Sequence, residues 1–190
     1  LLRNRARAKI DATPALADVT DLDHDGRGVA HVDGKAVFIE DALPGERVEW
    51  RRHKSTRTFD EGRVLNVLEA SPHRVEPRCP HFGVCGGCVL QHLSAEQQIV
   101  FKERQLIDAL TRIGQVQPAE VLPPLRGPQW NYRRRARLGA RWVPNKQRTV
   151  VGFRERSSSF IAYLKECHVL AQPIGGLIDA LSELMSKLSV

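Results

Sequence analysis

The sequence predicts a mainly β protein that ends in α+β structure: a small five-stranded barrel of the OB type, then an α+β domain with a metal-binding loop and an antiparallel, arginine-rich hairpin. Three observations support this fold class. Short β-rich runs alternate with turn residues in the first 72 residues, three cysteines share one loop, and one stretch holds the excess of positive charge. At 190 residues and 42% hydrophobic, the chain can bury one sizeable core or two small ones.

The barrel is predicted for residues 14–72. Turn dipeptides separate five β-rich runs, which are Leu16–Leu22, Gly28–Val32, Ala36–Ile39, Arg47–His53 and Glu61–Leu68. Five short strands in about sixty residues favour a closed barrel, because closure removes the exposed sheet edges. Residues 1–13 carry an excess of basic residues and are predicted to form a disordered tail. Residues 73–190 are predicted to form the second domain.

The four cysteines are arranged unevenly. Cys79, Cys85 and Cys88 lie in one loop, C-P-H-F-G-V-C-G-G-C, whereas Cys167 lies far downstream. Three thiolates in a glycine-containing loop, with a fourth supplied by folding, are typical of a [4Fe–4S] site. A structural zinc site is the alternative, although zinc ribbons usually offer two C-x-x-C pairs and only Cys85 and Cys88 form one here. The spacing favours the cluster and leaves zinc open.

The residues around the cysteines refine this prediction. Gly86 and Gly87 are expected to let the backbone turn tightly and direct N–H groups at sulfur. His81, His92 and His168 are alternative ligands, although ordinary roles in loops and caps suit them better. Neither a signal-peptide pattern nor a membrane span is visible, which disfavours a disulfide framework. We therefore expect a cytoplasmic protein without a membrane partner, and we expect it to be a monomer.

The net charge of +7 comes from residues 126–156, which contain ten Lys/Arg and one Asp/Glu. Residues 132–143 and 149–156 are predicted to be two strands with a turn between them. Apolar residues would occupy one face and arginines the other. A guanidinium forks onto phosphate oxygens, and a solvated sheet face usually mixes both signs, so this pattern favours RNA or DNA binding. The candidate contact residues are Tyr132, Arg133, Arg135, Arg137, Arg141, Arg154 and Arg156.

Two helices complete the second domain. The segment Ser94–Gln97 has a capping-box pattern, and the apolar residues after it recur at helical spacing as far as Gly114. Residues 118–128 are proline-rich and predict an extended connector. A last helix is predicted for Ile174–Leu188, with one apolar stripe formed by Leu177, Leu181, Leu184 and Leu188. This stripe needs a partner surface, which is either the hairpin or a further part of the natural protein.

Together these motifs resemble a known family. The barrel contains V-F-I-E-D-A-L-P-G-E-R-V, similar to a TRAM domain, and C-x5-C-x2-C is followed by Q-H-L. Y-R-R-R-A-R-L, V-G-F-R-E-R-S-S and E-C-H-V-L come later. The chain is similar to the N-terminal half of the RNA 5-methyluridine methyltransferases that modify 23S ribosomal RNA. The resemblance implies that Cys79, Cys85, Cys88 and Cys167 bind [4Fe–4S] and that the hairpin belongs to a central RNA-recognition domain.

The resemblance also implies what this chain does not do. The family's S-adenosylmethionine domain, with its cysteine nucleophile and general base, follows the central domain, and no G-x-G-x-x-G element occurs here. The four cysteines are all assigned to the cluster, so the chain is expected to bind RNA without methylating it. Family members specific for tRNA are expected to lack both barrel and cluster, which favours 23S ribosomal RNA as the partner.

Two other classes remain open. One is a zinc-stabilised, standalone RNA-binding module. The other is a radical methylthiotransferase, which also combines a TRAM-like barrel with a cluster. Those enzymes use C-x3-C-x2-C, and the C-x5-C spacing and Cys167 argue against them.

Overall fold

The computed structural model describes residues 12–156 and 158–188, so residues 1–11 of the predicted disordered tail lie outside the described residues. The chain divides after Arg74 into two compact units. None of the helices in the described part of the chain combines the length and the apolar character needed to cross a membrane.

The first unit is a six-stranded sheet. Its strands are β1 Ala15–Asp18, β2 Asp21–Leu22, β3 Gly28–Val32, β4 Lys35–Glu40, β5 Arg47–Ser55 and β6 Phe59–Glu69. Their order is β1-β5-β6-β4-β3-β2, and every pair is antiparallel except β4 with β6. This fold agrees with the predicted OB-like barrel.

The sheet closes because β1 and β2 lie at opposite ends of its order although they are consecutive in the chain. Val19 and Thr20 join them, and their N–H groups donate to the carbonyls of Glu46 and Val29, each at 2.8 Å. The sequence predicted one strand from Leu16 to Leu22. Two short strands are found instead, because the chain crosses at this point from the edge of β5 to the edge of β3.

The barrel interior follows the two-residue period of the strands. Val37 and Ile39 on β4, and Val48 and Trp50 on β5, are fully buried. Gly62 on β6 lies against the indole ring, and a Cβ atom at this position would overlap the ring of Trp50. The large aromatic side chain therefore fits because its neighbouring strand carries no side chain there.

A buried ion pair connects the turn before β5 to the chain that leaves β6. The carboxylate of Glu46 is fully buried and accepts from the Leu43 N–H at 2.9 Å, the Ser71 N–H at 3.2 Å and the Arg74 guanidinium. Arg74 Nη2 donates to Glu46 Oε2 at 2.8 Å and to the Asp41 carbonyl at 2.7 Å. All these polar groups are paired, so removing one partner would leave the others buried and unsatisfied.

Replacing Arg74 with alanine should lower the free energy of unfolding by about 3–5 kcal/mol, because it leaves the Glu46 carboxylate buried without a cation. Urea unfolding followed by circular dichroism measures the change. Arg47→Ala is the matched control, since Arg47 forms an exposed pair with Asp18 at 3.9 Å and should change stability by less than about 1 kcal/mol. Equal effects of the two substitutions would contradict this account.

The second unit contains two helices and a two-stranded sheet. They are α1 Ala95–Asp108, which continues as a π-helical turn Ala109–Ile113, then β7 Gly139–Val143, β8 Arg148–Gly152 and α2 Ile178–Lys187. The predicted helix before Gly114 is confirmed, but the prediction of a capping box at its start is wrong. Ser94 makes no side-chain capping bond. The Gln98 amide instead donates to the carbonyls of Leu90 and Leu93, which fixes the loop before α1.

The hairpin is shorter than predicted. β7 begins at Gly139, so Tyr132, Arg133, Arg135 and Arg137 precede the strand, and Arg154 and Arg156 follow β8. The continuation of β8 has other partners: Arg154 pairs with Ile161, and Glu155 pairs with Cys85. Gly139 at the start of β7 pairs with Gly152 at the end of β8. The residues after Gly152 already pair with Ile161 and Cys85, so the residues before Gly139 have no strand to pair with there. The predicted single arginine-bearing strand face is therefore wrong for residues 132–138.

The last helix packs against β8, although not through the predicted stripe. Ile178 and Ser182 are buried, whereas Leu177, Leu181, Leu184 and Leu188 are between 40% and 55% exposed. The contact is partly polar: the Thr149 N–H donates to Ser186 Oγ at 2.8 Å, and Ser182 Oγ donates to the Thr149 carbonyl. These serines satisfy backbone groups of β8, which is why a partly polar face of the helix is buried.

Candidate metal centre and nucleic-acid interface

All four cysteines line one cavity in the second unit. The apolar part of its wall comes from Phe82, Phe153, Leu164 and Val169. The polar residues at the same cavity are His81, Gln91, Arg133, Glu166 and His168. The fold thus brings Cys167 to the cysteine loop, and the cavity combines soft sulfur donors with an apolar surround.

The cysteine loop is attached by backbone hydrogen bonds to the segment that follows β8. The Gly86 N–H donates to the Arg154 carbonyl at 2.9 Å, and the Arg156 N–H donates to the Val84 carbonyl at 2.9 Å. A Cβ atom at Gly86 would lie 3.0 Å from the Arg154 carbonyl oxygen, which explains why this position is glycine. Arg154 and Arg156, two of the candidate RNA-contact residues, therefore lie on the segment that binds the cysteine loop.

The Gly87 N–H donates to Cys85 Sγ at 3.4 Å. The sequence predicted N–H groups of both glycines directed at sulfur, and Gly87 fulfils this prediction, whereas Gly86 donates to a carbonyl oxygen. Such hydrogen bonds stabilise negative charge on sulfur and are one of the means by which proteins tune iron–sulfur groups.

Cys167 is held from its other side. Its N–H donates to the Gly175 carbonyl at 2.8 Å. The next residues pair with the chain before β7, because the Arg133 N–H donates to the Val169 carbonyl and the Ala171 N–H donates to the Arg133 carbonyl, each at 3.0 Å. Arg133 is therefore bound by its backbone to the segment that supplies the fourth sulfur.

Burial raises the pKa of Cys79 and Cys85 above the usual range for a thiol, and the neighbouring sulfurs add to this effect. Cys79 and Cys85 therefore favour the neutral thiol form in the absence of a cation. A bound metal reverses this preference because it stabilises the thiolate directly. The donor set therefore suits a soft cationic group.

The three candidate histidine ligands have protein contacts of their own. His81 Nε2 accepts from the Lys165 N–H at 3.2 Å, and burial lowers the pKa of His81. His168 Nε2 lies 3.3 Å from Glu166 Oε1. The buried ring of His92 packs against Phe82 with 5.2 Å between ring centres. One ring nitrogen of His81 and one of His168 are thus engaged with protein atoms, in agreement with roles in the loop.

In any three of the four cysteine sulfurs, at least one pair lies more than 4.8 Å apart. Among residues 12–156 and 158–188, one group of at least three His, Cys, Asp or Glu donors lies mutually within 4.8 Å. It is the partly exposed set Asp23, His24 and Asp25 in the barrel. The four cysteines are all among these described residues, so no three of their sulfurs are that close together. A tetrahedral zinc ion with bonds of about 2.3 Å requires about 3.8 Å between sulfurs. As placed, the four sulfurs do not form the tetrahedron that a single zinc ion requires.

The candidate RNA-contact residues are mostly accessible. Arg135, Arg137, Arg141, Arg154 and Tyr132 are exposed. Arg133 and Arg156 are half-buried, and they lie at the cysteine site, where Arg133 lines the cavity and the Arg156 guanidinium lies 5.8 Å from the centre of the Phe82 ring. The positive groups thus extend from the cavity wall to the hairpin.

Sequence reasoning missed two residues of this region. Arg148 has a structural role, since it donates to Asp179 at 2.9 Å and to the Tyr163 hydroxyl at 2.8 Å. Phe160 is exposed and lies beside Arg141. The signal in the sequence was an aromatic residue directly after S-S-S, four residues beyond the basic stretch 126–156.

The barrel and the comparisons with known proteins define the class. The TRAM domain family matches residues 16–65, so the barrel contains a TRAM domain. The chain is 50% identical over 187 residues to the 23S rRNA (uracil(1939)-C(5))-methyltransferase RlmD of Stenotrophomonas maltophilia K279a, covering 97% of this chain and 42% of that protein. It is 53% identical over 184 residues to the RlmD of Xanthomonas axonopodis pv. citri, covering 95% and 41%. The resemblance to the RNA 5-methyluridine methyltransferases is confirmed, and the chain spans about two fifths of these relatives.

A solved structure is also similar. The tRNA (uracil-54, C5)-methyltransferase of Pyrococcus abyssi, in complex with S-adenosyl-L-homocysteine, matches with a TM-score of 0.59 and 25% identity, covering 88% of this chain and 36% of that one. A match over 88% of this chain extends into the barrel. The expectation that tRNA-specific members lack the barrel is therefore wrong for the Pyrococcus abyssi enzyme. The barrel by itself does not distinguish a tRNA substrate from a ribosomal RNA substrate.

Proposed function

We propose that this chain is the RNA-recognition and iron–sulfur portion of an S-adenosylmethionine-dependent 23S rRNA (uracil-5-)-methyltransferase. The observation that carries the proposal is the convergence of four cysteines from distant parts of the sequence on one cavity, next to arginine-bearing segments. The RlmD relatives supply the reaction class and the RNA substrate. We expect a cytoplasmic monomer.

Cys79, Cys85, Cys88 and Cys167 would hold a [4Fe–4S] cluster. Each thiolate of a cubane binds a different iron, so the sulfurs stay farther apart than around one zinc ion. The sulfurs do not form a zinc tetrahedron, which supports the cluster over zinc, and the apolar wall and the N–H group on Cys85 Sγ suit a metal group bound by thiolates. The group would act as a structural cross-link between the cysteine loop and residues 167–171.

The arginine side chains would bind the RNA backbone. Arg133 is attached to the segment after Cys167, and Arg154 and Arg156 are attached to the cysteine loop. Fixing these backbones limits the space that the guanidinium groups explore before RNA arrives, which reduces the entropy lost on binding. The chain's four cysteines all line the cavity, so none is left to attack a uracil ring, and we propose that the chain alone is not catalytic.

A combined binding and methyl-transfer assay tests this function. We expect the purified chain to bind 23S ribosomal RNA fragments and to transfer no radiolabelled methyl group from S-adenosylmethionine to them. A full-length RlmD relative assayed in parallel provides the positive control for transfer. Methyl incorporation by the chain alone, or failure to bind any RNA, would overturn the proposal.

A further inference from the structure

Phe160 is a large apolar side chain that a tight turn holds in an exposed position. It is 58% exposed. The Glu155 N–H donates to the Phe160 carbonyl at 2.9 Å, and the Phe160 N–H donates to Ser158 Oγ at 3.0 Å. Ser158 Oγ in turn donates to Glu155 Oε2 at 2.7 Å. These bonds fix the backbone on both sides, so the exposure of the ring belongs to the folded turn.

Two arginines lie near this ring. The Arg141 guanidinium carbon is 5.7 Å from the centre of the Phe160 ring, and the backbone of Arg154 pairs with Ile161, the next residue. Both arginines are exposed. A Cβ atom at Gly139 would overlap the Ile161 side chain, so β7 lies directly against this segment. The segments that carry Phe160, Arg141 and Arg154 are therefore packed against one another.

Single exposed apolar side chains are ordinary on protein surfaces. Phe160 differs because it lies four residues after the stretch 126–156, in which ten of eleven charged residues are positive. An aromatic ring with neighbouring guanidinium groups matches the chemistry of one nucleotide. The base stacks on the ring, and the phosphate attracts the arginines. A base in a duplex is already stacked and does not offer its face in this way.

We propose that Phe160, with Arg141 and Arg154, is a stacking platform for an unpaired nucleobase, so that the second unit prefers single-stranded RNA over duplex RNA. This inference rests on the proposed RNA-binding function and adds the class of RNA that the surface takes. The arginines supply the attraction to the backbone, and Phe160 supplies the discrimination between unpaired and paired bases.

Fluorescence anisotropy with the whole chain tests the platform, using a labelled oligouridine and a duplex RNA of equal length. Phe160→Ala should weaken oligouridine binding about ten-fold, the loss expected for one base–aromatic stack, and leave duplex binding and the salt slope unchanged. Phe160→Trp should keep the wild-type affinity because indole also stacks. Ile174→Ala is the matched control, since Ile174 is also 58% exposed and lies in the same unit.

The outcomes separate the two proposals. If the wild-type protein binds oligouridine and Phe160→Ala binds it equally well, the platform is overturned and the RNA-binding function stands. An equal loss on duplex RNA, or the same loss in Ile174→Ala, also overturns the platform. If the wild-type protein binds neither RNA, the proposed function fails and the platform fails with it.

Discussion

Replacing Arg133, Arg135 and Arg137 together with alanine is expected to weaken RNA binding strongly and to flatten its dependence on salt. Each guanidinium that neutralises a phosphate releases condensed counterions. On a single strand, the slope of log affinity against log salt falls by about 0.7 for each phosphate that is no longer neutralised. Removing three guanidinium groups therefore predicts a slope smaller by about two. Anisotropy titrations over a range of salt concentrations measure both the affinity and the slope.

A charge-matched variant makes this result specific. Lys102, Arg104 and Arg112 lie on α1 and its π-helical continuation, in the same unit, and all are exposed. Their triple replacement by alanine removes the same charge and preserves helix propensity. We expect it to leave the salt slope almost unchanged. If both triple variants lower the slope equally, binding depends on net charge alone and the proposed contact residues are wrong.

Replacing Cys167 with alanine is expected to remove iron and RNA affinity together. The proposed cluster would lose one of its four thiolates, and metal binding is coupled to the folding of the segments that supply the ligands. The chain after Cys167 pairs with Arg133, so loss of the cross-link frees a candidate RNA-binding residue. We expect iron content to fall to background and RNA affinity to fall about ten-fold or more. Iron analysis and anisotropy on the same sample measure both.

Two further variants support that test. Cys88→Ala removes a different ligand and should give the same joint loss. Ser94→Ala is the control, because Ser94 lies in the same unit and makes no side-chain capping bond. Loss of iron with unchanged RNA affinity in both cysteine variants would separate the metal site from RNA binding and reject the coupling.

Local sequence signals were sufficient to predict the barrel. Turn dipeptides and two-residue alternation located β3 at Gly28–Val32, the same residues that the structure shows, and the other runs to within a few residues. The division of the first run at Val19 and Thr20 was not predictable from alternation. It depends on closure, which is a long-range property of strand order rather than of the residues at that point.

The hairpin and the last helix show the limit of periodicity. Alternation in residues 132–143 was genuine, but a strand also needs a neighbour, and the partners of the chain beyond β8 are Ile161 and Cys85. In α2, helical spacing identified the leucine stripe, whereas backbone groups of β8 select the face that carries Ser182 and Ser186. The pairing of polar groups decided which face is buried.

The cysteines were predictable because their chemistry is specific, and the sequence could not supply the distances between them. Their spacing in the chain favoured iron over zinc only weakly. In the folded cavity the sulfurs do not form a zinc tetrahedron, which adds a geometric argument for a cluster. The proposed cluster would connect the cysteine loop, Arg133 and the arginines after β8.

The most direct test of this central claim is anaerobic purification of the chain, followed by iron, sulfide and zinc analysis and a visible spectrum. We expect a brown protein with about four irons and four sulfides per chain. About one zinc per chain, with no visible absorption, would contradict it and favour a zinc-stabilised RNA-binding module.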